Sequence, residues 1–447
     1  MKTSTIILAA GQGTRMVSDL PKVLHPLNGK PLVNYSVELA AALGSERKVV
    51  VIGNGAEKVR AAVGDSARFA MQERRLGTAH AVLAAEQELS GFEGLIVVIS
   101  ADMPLLTSDT VKRMVALQSA NNGPMTLLTV RSKNPRGFGR IVRDARGALA
   151  AIVEEAQATP EQLRIDELNV GAYVLNSAWL WKALKQVKLS PKGEYYLTDL
   201  VEIAVSAGAR VETVLLEHEE EALGINNRVH LAEAEKVLRR RINTAYMLAG
   251  VTMPDPERVY IQGEVRIGKD TVLLPNTYLT GQTVIGEGCE IGPDTIIRDS
   301  NIGNHCHLLA SVIEGALVED NVGMGPFCHL RKGAHLGKGV HMGNFGEVKD
   351  SHLAAGVKMG HFSYIGNANI GENVNIGAGT ITCNFDGEHK HPTEIGENAF
   401  IGSDTMLVAP LKIGKGARTG AGSVVTHDVA DGEVVVGVPA RELKKKE

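Results

Sequence analysis

The sequence lacks three features that would each indicate a particular class of protein. It has no run of about 18 apolar residues, so we expect no transmembrane helix, and its apolar start is too short for a signal peptide. A net charge of −4 gives no sign of bulk nucleic-acid binding. The four cysteines include no Cys-x-x-Cys pair, which favours reduced thiols in a cytoplasmic protein over a disulfide framework.

Glycine is present but unevenly distributed, and its distribution divides the chain. Of the 49 glycines, 30 lie in residues 251–447, where an aliphatic residue followed by glycine recurs mostly at steps of six residues or multiples of six. This period is typical of a β-helix whose coils bury a core only by stacking. We therefore expect a left-handed parallel β-helix of hexapeptide repeats over residues 251–447. The recurring pairs include Ile267-Gly268, Ile285-Gly286, Ile291-Gly292, Ile376-Gly377, Ile401-Gly402 and Ile413-Gly414.

Residues 1–226 instead alternate short aliphatic runs with amphipathic segments. Such alternation predicts a mostly parallel, Rossmann-like sheet covered by helices on both faces. Because ligands bind beyond the carboxyl ends of such strands, Gly11 and Asp102, which follow two of them, should lie close together. We predict strands at Thr5–Ala10, Lys48–Ile52, Leu95–Ser100 and Met125–Val130, and helices at Val33–Leu43, Thr78–Leu89 and Thr107–Ala120.

Two further segments connect or interrupt these domains. Apolar residues recur at helical spacing in residues 227–250, and Gly250 suits the end of a helix, so we expect a connecting helix between domains 1–226 and 251–447. The hexapeptide period breaks near residues 383–394. That polar stretch predicts a loop extending from the solenoid, where repeat proteins often place binding groups.

The turn Leu8-Ala9-Ala10-Gly11-Gln12-Gly13-Thr14-Arg15-Met16 follows the first strand, and its backbone amides could hold phosphate oxygens. It is not a dinucleotide fingerprint, because Met16 stands at the third glycine position, and it is not a Walker loop. Together with Pro21-Lys22 it resembles the motif of nucleotidyltransferases that join a sugar 1-phosphate to a nucleoside triphosphate. With the repeats, nearly the whole chain resembles the bifunctional family of N-acetylglucosamine-1-phosphate uridylyltransferases and glucosamine-1-phosphate acetyltransferases.

This resemblance implies a uridylyltransferase site in the first half. Arg15 and Lys22 would act in catalysis by neutralising triphosphate charge, and Asp102 and Asn226 would bind Mg²⁺ through oxygen atoms. Asn227 is an equally good oxygen donor, and Asn226 could instead cap the connecting helix. The resemblance assigns nucleotide binding to Leu8, Ala9, Ala10, Gly11, Lys22, Gln72, Gly77 and Thr78, and sugar binding to Gly139, Glu154, Asn169 and Asn226. The chain departs from the family at Ser100-Ala101, where many relatives have Tyr-Gly.

The resemblance also implies an acetyltransferase site in the repeats. His361 would be the general base that takes a proton from the amine of glucosamine 1-phosphate, because a neutral imidazole can do so near pH 7. The resemblance assigns this substrate to Arg331, Glu347, Lys349, Tyr364, Asn375 and Lys390, and acetyl-CoA to Asn384, Phe385, Ser403, Ala421 and Arg441. Phe385 stands where tyrosine is common, and Arg441 would replace an arginine missing from Gly437-Val438-Pro439.

The implied function is a two-step synthesis of UDP-N-acetylglucosamine, a cell-wall and lipopolysaccharide precursor. Acetyl transfer from acetyl-CoA to glucosamine 1-phosphate would precede uridylyl transfer from UTP, with release of pyrophosphate, in a cytoplasmic homotrimer. The alternative is a single-activity sugar-1-phosphate nucleotidyltransferase whose β-helix serves only for trimerisation. A passive solenoid has no need of the matching set in the repeats, which favours two activities. A non-enzymatic scaffold would leave Lys22, Asp102 and Asn226 without a function.

Overall fold

The computed structural model describes residues 1–443 and divides the chain into two compact units. The boundary falls between Leu238 and Arg239, inside the helix Arg228–Leu248. We call the part before this boundary the sheet unit and the part after it the repeat unit. Within the described residues, no helix is long and apolar enough to cross a bilayer.

The sheet unit is built around a nine-stranded sheet and a separate two-stranded hairpin. Its strands are β1 (Thr3–Leu8), β2 (Pro26–Leu27), β3 (Lys30–Pro31), β4 (Lys48–Ile52), β5 (Arg68–Met71), β6 (Leu95–Ser100), β7 (Met125–Arg131), β8 (Arg140–Arg143), β9 (Leu149–Val153), β10 (Glu167–Asn176) and β11 (Glu212–Leu215). Its α-helices are α1 (Leu32–Ala42), α2 (Ala56–Val63), α3 (Thr78–Ala84), α4 (Ser108–Ala120), α5 (Ser177–Leu184) and α6 (Asp199–Ser206), and α7 (Arg228–Leu248) begins in this unit. Short 3-10 turns occupy Thr14–Met16, Lys22–Leu24, Gly64–Ser66, Glu155–Gln157, Gln162–Arg164 and Glu219–Ala222.

The sheet has the order β11-β7-β10-β6-β1-β4-β5 and is mostly parallel. Strand β10 is the exception within this order, because it pairs antiparallel with both β6 and β7, while β8 and β9 form an antiparallel hairpin beside it. Successive side chains of a strand point to opposite faces. Ile6 accordingly packs in a core with α3, α5 and α6, whereas Ile7 packs in a second core with α1, α2 and α4. The predicted mostly parallel sheet with two covered faces is therefore confirmed.

One predicted helix is shorter than the sequence suggested. The segment predicted to be helical over Thr78–Leu89 leaves the α-helix at Ala84, where hydrogen bonds shift to the tighter spacing of Ala85 to Val82 and Glu86 to Leu83. The chain then continues in turns toward Gly91, which has a φ of 72°. Periodicity could not detect this change, because the buried residues of tight turns occupy nearly the same positions as those of a helix.

The repeat unit consists of coils with three faces, each face being a sheet of mostly parallel strands. Every coil pairs with the next, as Ile267 does with Ile285 and Ile285 with Ile302. The ten strands of the first face are Val259–Ile261, Thr277–Thr280, Ile296–Arg298, Val312–Glu314, His329–Leu330, Glu347–Lys349, Tyr364–Gly366, Ile381–Cys383, Met406–Val408 and Val424–Val425. The nine strands of the second face are Arg266–Ile267, Val284–Ile285, Asn301–Ile302, Leu317–Val318, Ala334–Leu336, Ser351–Leu353, Ala368–Ile370, Thr393–Ile395 and Leu411–Ile413. The eleven strands of the third face are Val272–Leu273, Glu290–Ile291, His307–Leu308, Gly323–Met324, His341–Asn344, Lys358–His361, Asn375–Ile376, Phe400–Ile401, Arg418–Thr419, Val434–Val436 and Arg441–Glu442, the last of which pairs antiparallel.

The hexapeptide pattern has a direct structural cause. The aliphatic residue points into a single core that runs through the coils, and Ile285 and Ile291 are both almost fully buried there. The glycine that follows is needed because the next coil packs against it: a Cβ on Gly268 would lie 2.6 Å from the carbonyl carbon of Gly286. The left-handed parallel β-helix predicted from the period is confirmed by three stacked faces of hexapeptide strands. All four cysteines are free thiols within it.

Candidate functional site

A cavity of about 400 Å³ opens at the carboxyl ends of β1 and β6. These strands pair in parallel with Leu8 opposite Ser100, so Gly11 and Asp102 reach the same edge of the sheet, as the sequence predicts. Ten residues assigned from the resemblance line the cavity: Leu8, Ala9, Ala10, Gly11, Lys22, Gln72, Gly77, Thr78, Asp102 and Glu154. The remaining lining residues, which sequence reasoning did not assign, are Val23, Arg75, Ala81, Ser100, Glu194 and Tyr196.

A network of charged and amide side chains lies at one end of this cavity. The Lys22 ammonium donates to Asp102 Oδ2 (2.5 Å) and to Asn226 Oδ1 (3.2 Å), and Arg15 donates to the same Asn226 oxygen (3.0 Å). Ser100 Oγ donates to the other carboxylate oxygen of Asp102 (2.7 Å). A carboxylate oxygen and an amide oxygen from distant parts of the chain therefore both contact the Lys22 ammonium group.

The structure distinguishes Asn226 from its neighbour Asn227. Asn227 Oδ1 accepts a hydrogen bond from His230 N (2.8 Å), which is the arrangement of a residue that caps the start of α7. Asn226 Oδ1 instead accepts hydrogen bonds from Lys22 and Arg15. The backbone places it there, since Ile225 N donates to Asp102 O (2.8 Å).

Gly13 allows the motif turn to approach Lys22 closely. Its φ is 63°, in the left-handed region, and an added Cβ would lie 2.5 Å from Lys22 Cβ. The turn is also attached to α7, because Arg228 Nε donates to Met16 O (3.2 Å). The glycine of the motif thus sets the position of the lysine that contacts Asp102 and Asn226.

The segment predicted to recognise uracil is held by its own hydrogen bonds. The buried Gln72 side chain donates from Nε2 to Gly77 O (3.0 Å), and the same nitrogen contacts His80 Nδ1 (3.2 Å). Thr78 Oγ1 accepts from Leu197 N (2.9 Å). Because the Gln72 nitrogen is engaged inside the protein, its amide oxygen is the atom suited to accept a hydrogen bond from a base.

Four residues were predicted to bind the sugar; Asn226 contacts Lys22, and the other three form two groups. Glu154 lines the cavity and accepts a hydrogen bond from Thr198 Oγ1 (2.9 Å). Gly139 and Asn169 are not among the described residues that line it; they bind each other through Asn169 N and Gly139 O (2.8 Å), and Asn169 Nδ2 donates to Tyr173 OH (2.8 Å). Both groups lie within the sheet unit, but the structure does not bring Gly139 and Asn169 to the cavity lining.

The carboxyl group of Asp199, which follows the Glu154 partner Thr198 in the chain, has a strongly shifted pKa. Burial, together with the negative charges of Glu202 and Glu154, raises the pKa of Asp199 to about 6. Asp199 begins α6, directly after Thr198, which contacts Glu154. Sequence reasoning missed this segment, although the run Glu194-Tyr195-Tyr196-Leu197-Thr198-Asp199 concentrates acidic, hydroxyl and aromatic side chains.

In the repeat unit, the first face carries a cluster of opposite charges. Arg331 forms an ion pair with Glu347 (3.0 Å), and Lys349 lies 3.9 Å from Asp350. The proximity of Lys390, and then of Arg331, lowers the pKa of Lys349. Lys349 therefore lies close enough to Lys390 and to Arg331 for their positive charges to repel, and a phosphate dianion would relieve that repulsion.

Tyr364 and Asn384 meet above Gly366 in the same face. A Cβ on Gly366 would lie 2.4 Å from the Tyr364 hydroxyl oxygen and 2.9 Å from Asn384 Nδ2. The buried Asn384 also donates to Asn367 Oδ1 (2.7 Å). Gly366 has no side chain to obstruct them, so the hydroxyl and the amide occupy adjacent positions beside Lys349, which pairs with Gly366.

His361 ends a strand of the third face, at the corner where the chain turns into the first face. Its imidazole is exposed, and its carbonyl accepts from Ser363 Oγ (2.9 Å) just before Tyr364 begins the next strand. The base candidate is thus close in sequence and in fold to Tyr364. Asn375 lies on the third face one coil later, where it pairs with Lys358 rather than with His361.

The residues predicted to bind acetyl-CoA lie on later coils. Ser403 and Ala421 are exposed at successive turns of the same corner, where Gly422 N donates to Ser403 O (2.8 Å). Phe385 is exposed and pairs with Lys390 across a loop closed by a hydrogen bond between His391 and Asp386 (2.7 Å). Arg441 lies on the final strand, opposite Val436, and its side chain donates to Ala440 O (3.0 Å).

Comparison with known proteins gives matches to both halves. Residues 5–192 match the MobA-like NTP transferase domain, and residues 264–299 and 392–427 match the bacterial transferase hexapeptide repeat. The Bifunctional protein GlmU of Halalkalibacterium halodurans is 44% identical over 99% of this chain and 97% of its own length. That of Geobacillus sp. (strain WCH70) is 44% identical over 100% and 97%, and that of Carboxydothermus hydrogenoformans is 46% identical over 99% of both chains. The chain therefore belongs to the family of bifunctional GlmU proteins, which confirms the bifunctional uridylyltransferase and acetyltransferase family expected from the sequence.

Proposed function

We propose that the two units catalyse successive steps. The repeat unit transfers the acetyl group of acetyl-CoA to glucosamine 1-phosphate, and the sheet unit then joins N-acetylglucosamine 1-phosphate to UTP. The observation that carries this proposal is the presence of one charge cluster in each unit. Lys22, Asp102 and Asn226 converge in the sheet unit, and Arg331, Lys349 and Lys390 do so in the repeat unit. A protein whose β-helix served only for assembly would need just the first.

The oxygen atoms of Asp102 and Asn226 fit a divalent cation. Both accept hydrogen bonds from the same ammonium group, so a single cation placed near that point could contact both. One carboxylate and one amide oxygen, completed by phosphate and water, are the ligands that Mg²⁺ prefers. When bound, Mg²⁺ would neutralise phosphate charge.

The remaining groups of the sheet unit position and neutralise the phosphates. Lys22 and Arg15 would turn from Asp102 and Asn226 toward the UTP oxygens, where negative charge develops in the transition state. The phosphate of N-acetylglucosamine 1-phosphate attacks the α-phosphorus of UTP, and pyrophosphate leaves. The attacking oxygen is already ionised and needs no general base, so catalysis rests on positioning and charge.

In the repeat unit, His361 would remove a proton from the amine as the nitrogen attacks the thioester carbonyl. The bond to sulfur breaks and coenzyme A leaves with the electron pair. Arg331, Lys349 and Lys390 would hold the sugar phosphate, and Glu347 orients Arg331 through their ion pair. Tyr364 and Asn384, adjacent above Gly366, would position the reacting amine.

We also propose that the protein is a homotrimer. The hexapeptide repeats match those of bacterial transferases, and a solenoid flank of small residues can pack closely against copies of itself. A second copy would enclose the exposed His361 and complete the pocket in which acetyl transfer occurs. Sedimentation equilibrium measures the assembly directly, and a monomer at assay concentration would contradict this part of the proposal.

The two sites can be separated by one variant in each unit. Asp102→Ala should abolish Mg²⁺-dependent formation of UDP-N-acetylglucosamine and leave acetyl transfer intact, and His361→Ala should do the reverse. Asp109→Ala and His341→Ala are matched controls, because Asp109 lies in the first turn of α4 and His341 is an exposed histidine of the third face. If His361→Ala kept acetyl transfer within a few-fold, the general-base assignment would be wrong. If the unaltered protein formed no N-acetylglucosamine 1-phosphate, the single-activity alternative would hold.

A further inference from the structure

The sheet unit contains a buried carboxylate that the proposed chemistry does not use. Glu221 is only 3% exposed. Its Oε2 atom accepts hydrogen bonds from Thr107 N (2.9 Å) and Thr107 Oγ1 (2.9 Å), and its Oε1 atom accepts one from Thr110 Oγ1 (3.1 Å). All three donors are uncharged and lie at or next to the start of α4. A buried carboxylate is costly unless it is well hydrogen-bonded, so these three contacts make its position specific.

The start of α4 is suited to receive this group. Backbone N–H groups in the first turn of a helix lack partners within the helix, and the helix dipole favours a negative charge there. Thr107 caps α4 by accepting from Thr110 N (3.3 Å), and Glu221 adds a carboxylate from a distant segment to the same cap. The contact therefore binds residues 219–226 to the segment that follows β6.

These two segments each carry one of the proposed metal ligands. Asp102 follows β6 and precedes Thr107, and Asn226 follows Glu221. Polar contacts join the segments: Ile225 N donates to Asp102 O (2.8 Å), and Glu221 binds Thr107 and Thr110. Because each contact lies a few residues from a ligand, together they limit how far the two oxygen atoms can separate.

We propose that Glu221 is a positioning residue for the uridylyl-transfer site, which holds Asn226 at the separation from Asp102 that one divalent cation requires. This inference rests on the proposed function, since it takes Asp102 and Asn226 as the metal ligands. Partners that orient metal ligands typically contribute about 10- to 100-fold to metal affinity. Losing Glu221 should therefore weaken metal binding.

The test compares Glu221→Ala with Glu221→Gln in the full chain. Glutamine can still accept from Thr107 through its oxygen and donate to the Thr110 hydroxyl, so it should retain the contact, whereas alanine removes it. Binding of Mn²⁺ alone, followed by loss of the free-ion electron paramagnetic resonance signal, should weaken about tenfold or more in Glu221→Ala and less than about threefold in Glu221→Gln. The Mg²⁺ concentration for half-maximal uridylyl transfer should rise in parallel, while acetyl transfer stays unchanged.

Controls separate this inference from the proposed function. Glu217→Ala removes an exposed carboxylate of the same stretch of chain and should leave Mn²⁺ binding unchanged. Normal Mn²⁺ binding by Glu221→Ala, with weakened binding by Asp102→Ala, would overturn the role of Glu221 alone. Normal binding by both variants would show that the metal ligands themselves are wrongly assigned. If Glu221→Ala does not fold, Thr110→Val removes one of the three contacts at nearly constant shape, and unchanged Mn²⁺ binding by that variant would also overturn the inference.

Discussion

Substituting alanine for Gly366 tests the geometry of the acetyl-transfer site directly. The added Cβ would lie 2.4 Å from the Tyr364 hydroxyl oxygen, 2.7 Å from its Cζ atom and 2.9 Å from Asn384 Nδ2, whereas ordinary contacts are 3.4–4 Å. The hydroxyl must therefore move by about 1 Å. Both obstructed groups are the ends of side chains and Gly366 does not have a positive φ, so the backbone pairing with Lys349 should persist.

A displacement of about 1 Å in a positioning group can cost about 10²-fold in rate. We expect Gly366→Ala to lose about this much acetyl transfer, measured as thiol release from acetyl-CoA in the presence of glucosamine 1-phosphate. Uridylyl transfer from UTP to N-acetylglucosamine 1-phosphate should be unchanged in the same preparation.

Gly360→Ala is the matched control for this substitution. Gly360 lies directly before His361, it does not have a positive φ, and no heavy atom lies within 4 Å of its added Cβ. It should keep acetyl transfer within about twofold, because no atom of the same chain has to move. If Gly366→Ala kept acetyl transfer within a few-fold of the unaltered protein, Tyr364 and Asn384 would not be positioning groups and the reasoning would be refuted.

Three further substitutions test other parts of the structure. Gly13→Ala would place a Cβ 2.5 Å from Lys22 Cβ at a φ of 63°, so uridylyl transfer should fall at least about tenfold while acetyl transfer is retained; equal losses would contradict this. Burial, and then neighbouring carboxylates, raise the pKa of Asp199 to about 6. The folded protein therefore binds this proton more tightly than the unfolded chain does, and the stabilisation that results is lost as pH rises toward and through 6. Asp199→Asn should therefore raise the melting temperature at pH 8 but not at pH 4, and an equal shift at both would count against it. Lys390 lowers the pKa of Lys349, so in Lys390→Met the Lys349 ammonium should keep its charge to a higher pH. The KM for glucosamine 1-phosphate should be higher at every pH in this variant, but it should begin to rise with pH at a higher pH than in the unaltered protein. Coincident pH profiles would show that the two ammonium groups do not interact.

The sequence predicted the features of the fold that depend on local residue patterns and on the order of strands and helices along the chain. A period of six residues with glycine predicted the β-helix, and alternating strands and helices placed Gly11 and Asp102 at one edge of a sheet. Pattern could not show that β10 runs antiparallel between two strands, since that depends on which strands meet in the fold.

The sequence predicted ten of the residues that line the cavity of the sheet unit, but not their arrangement. Asn226 and Asn227 carry identical side chains, and only the direction of the backbone at the start of α7 distinguishes the capping residue from the one that faces Lys22. Glu221 gave no signal, because its partners at Thr107 and Thr110 are more than a hundred residues away in the chain. Contacts of this range follow from tertiary packing and leave no local period.

The loop between Cys383 and Thr393 shows how this solenoid tolerates change. Most coils are closed within a narrow range of lengths, yet Ile370 pairs with Ile395 across the added residues and the strands continue in register above and below. The neighbouring coils fix the register of the strands, so the residues inserted between Cys383 and Thr393 contribute little to holding the coils together. A change in the length or composition of this loop should therefore leave the stacked strands on either side in register.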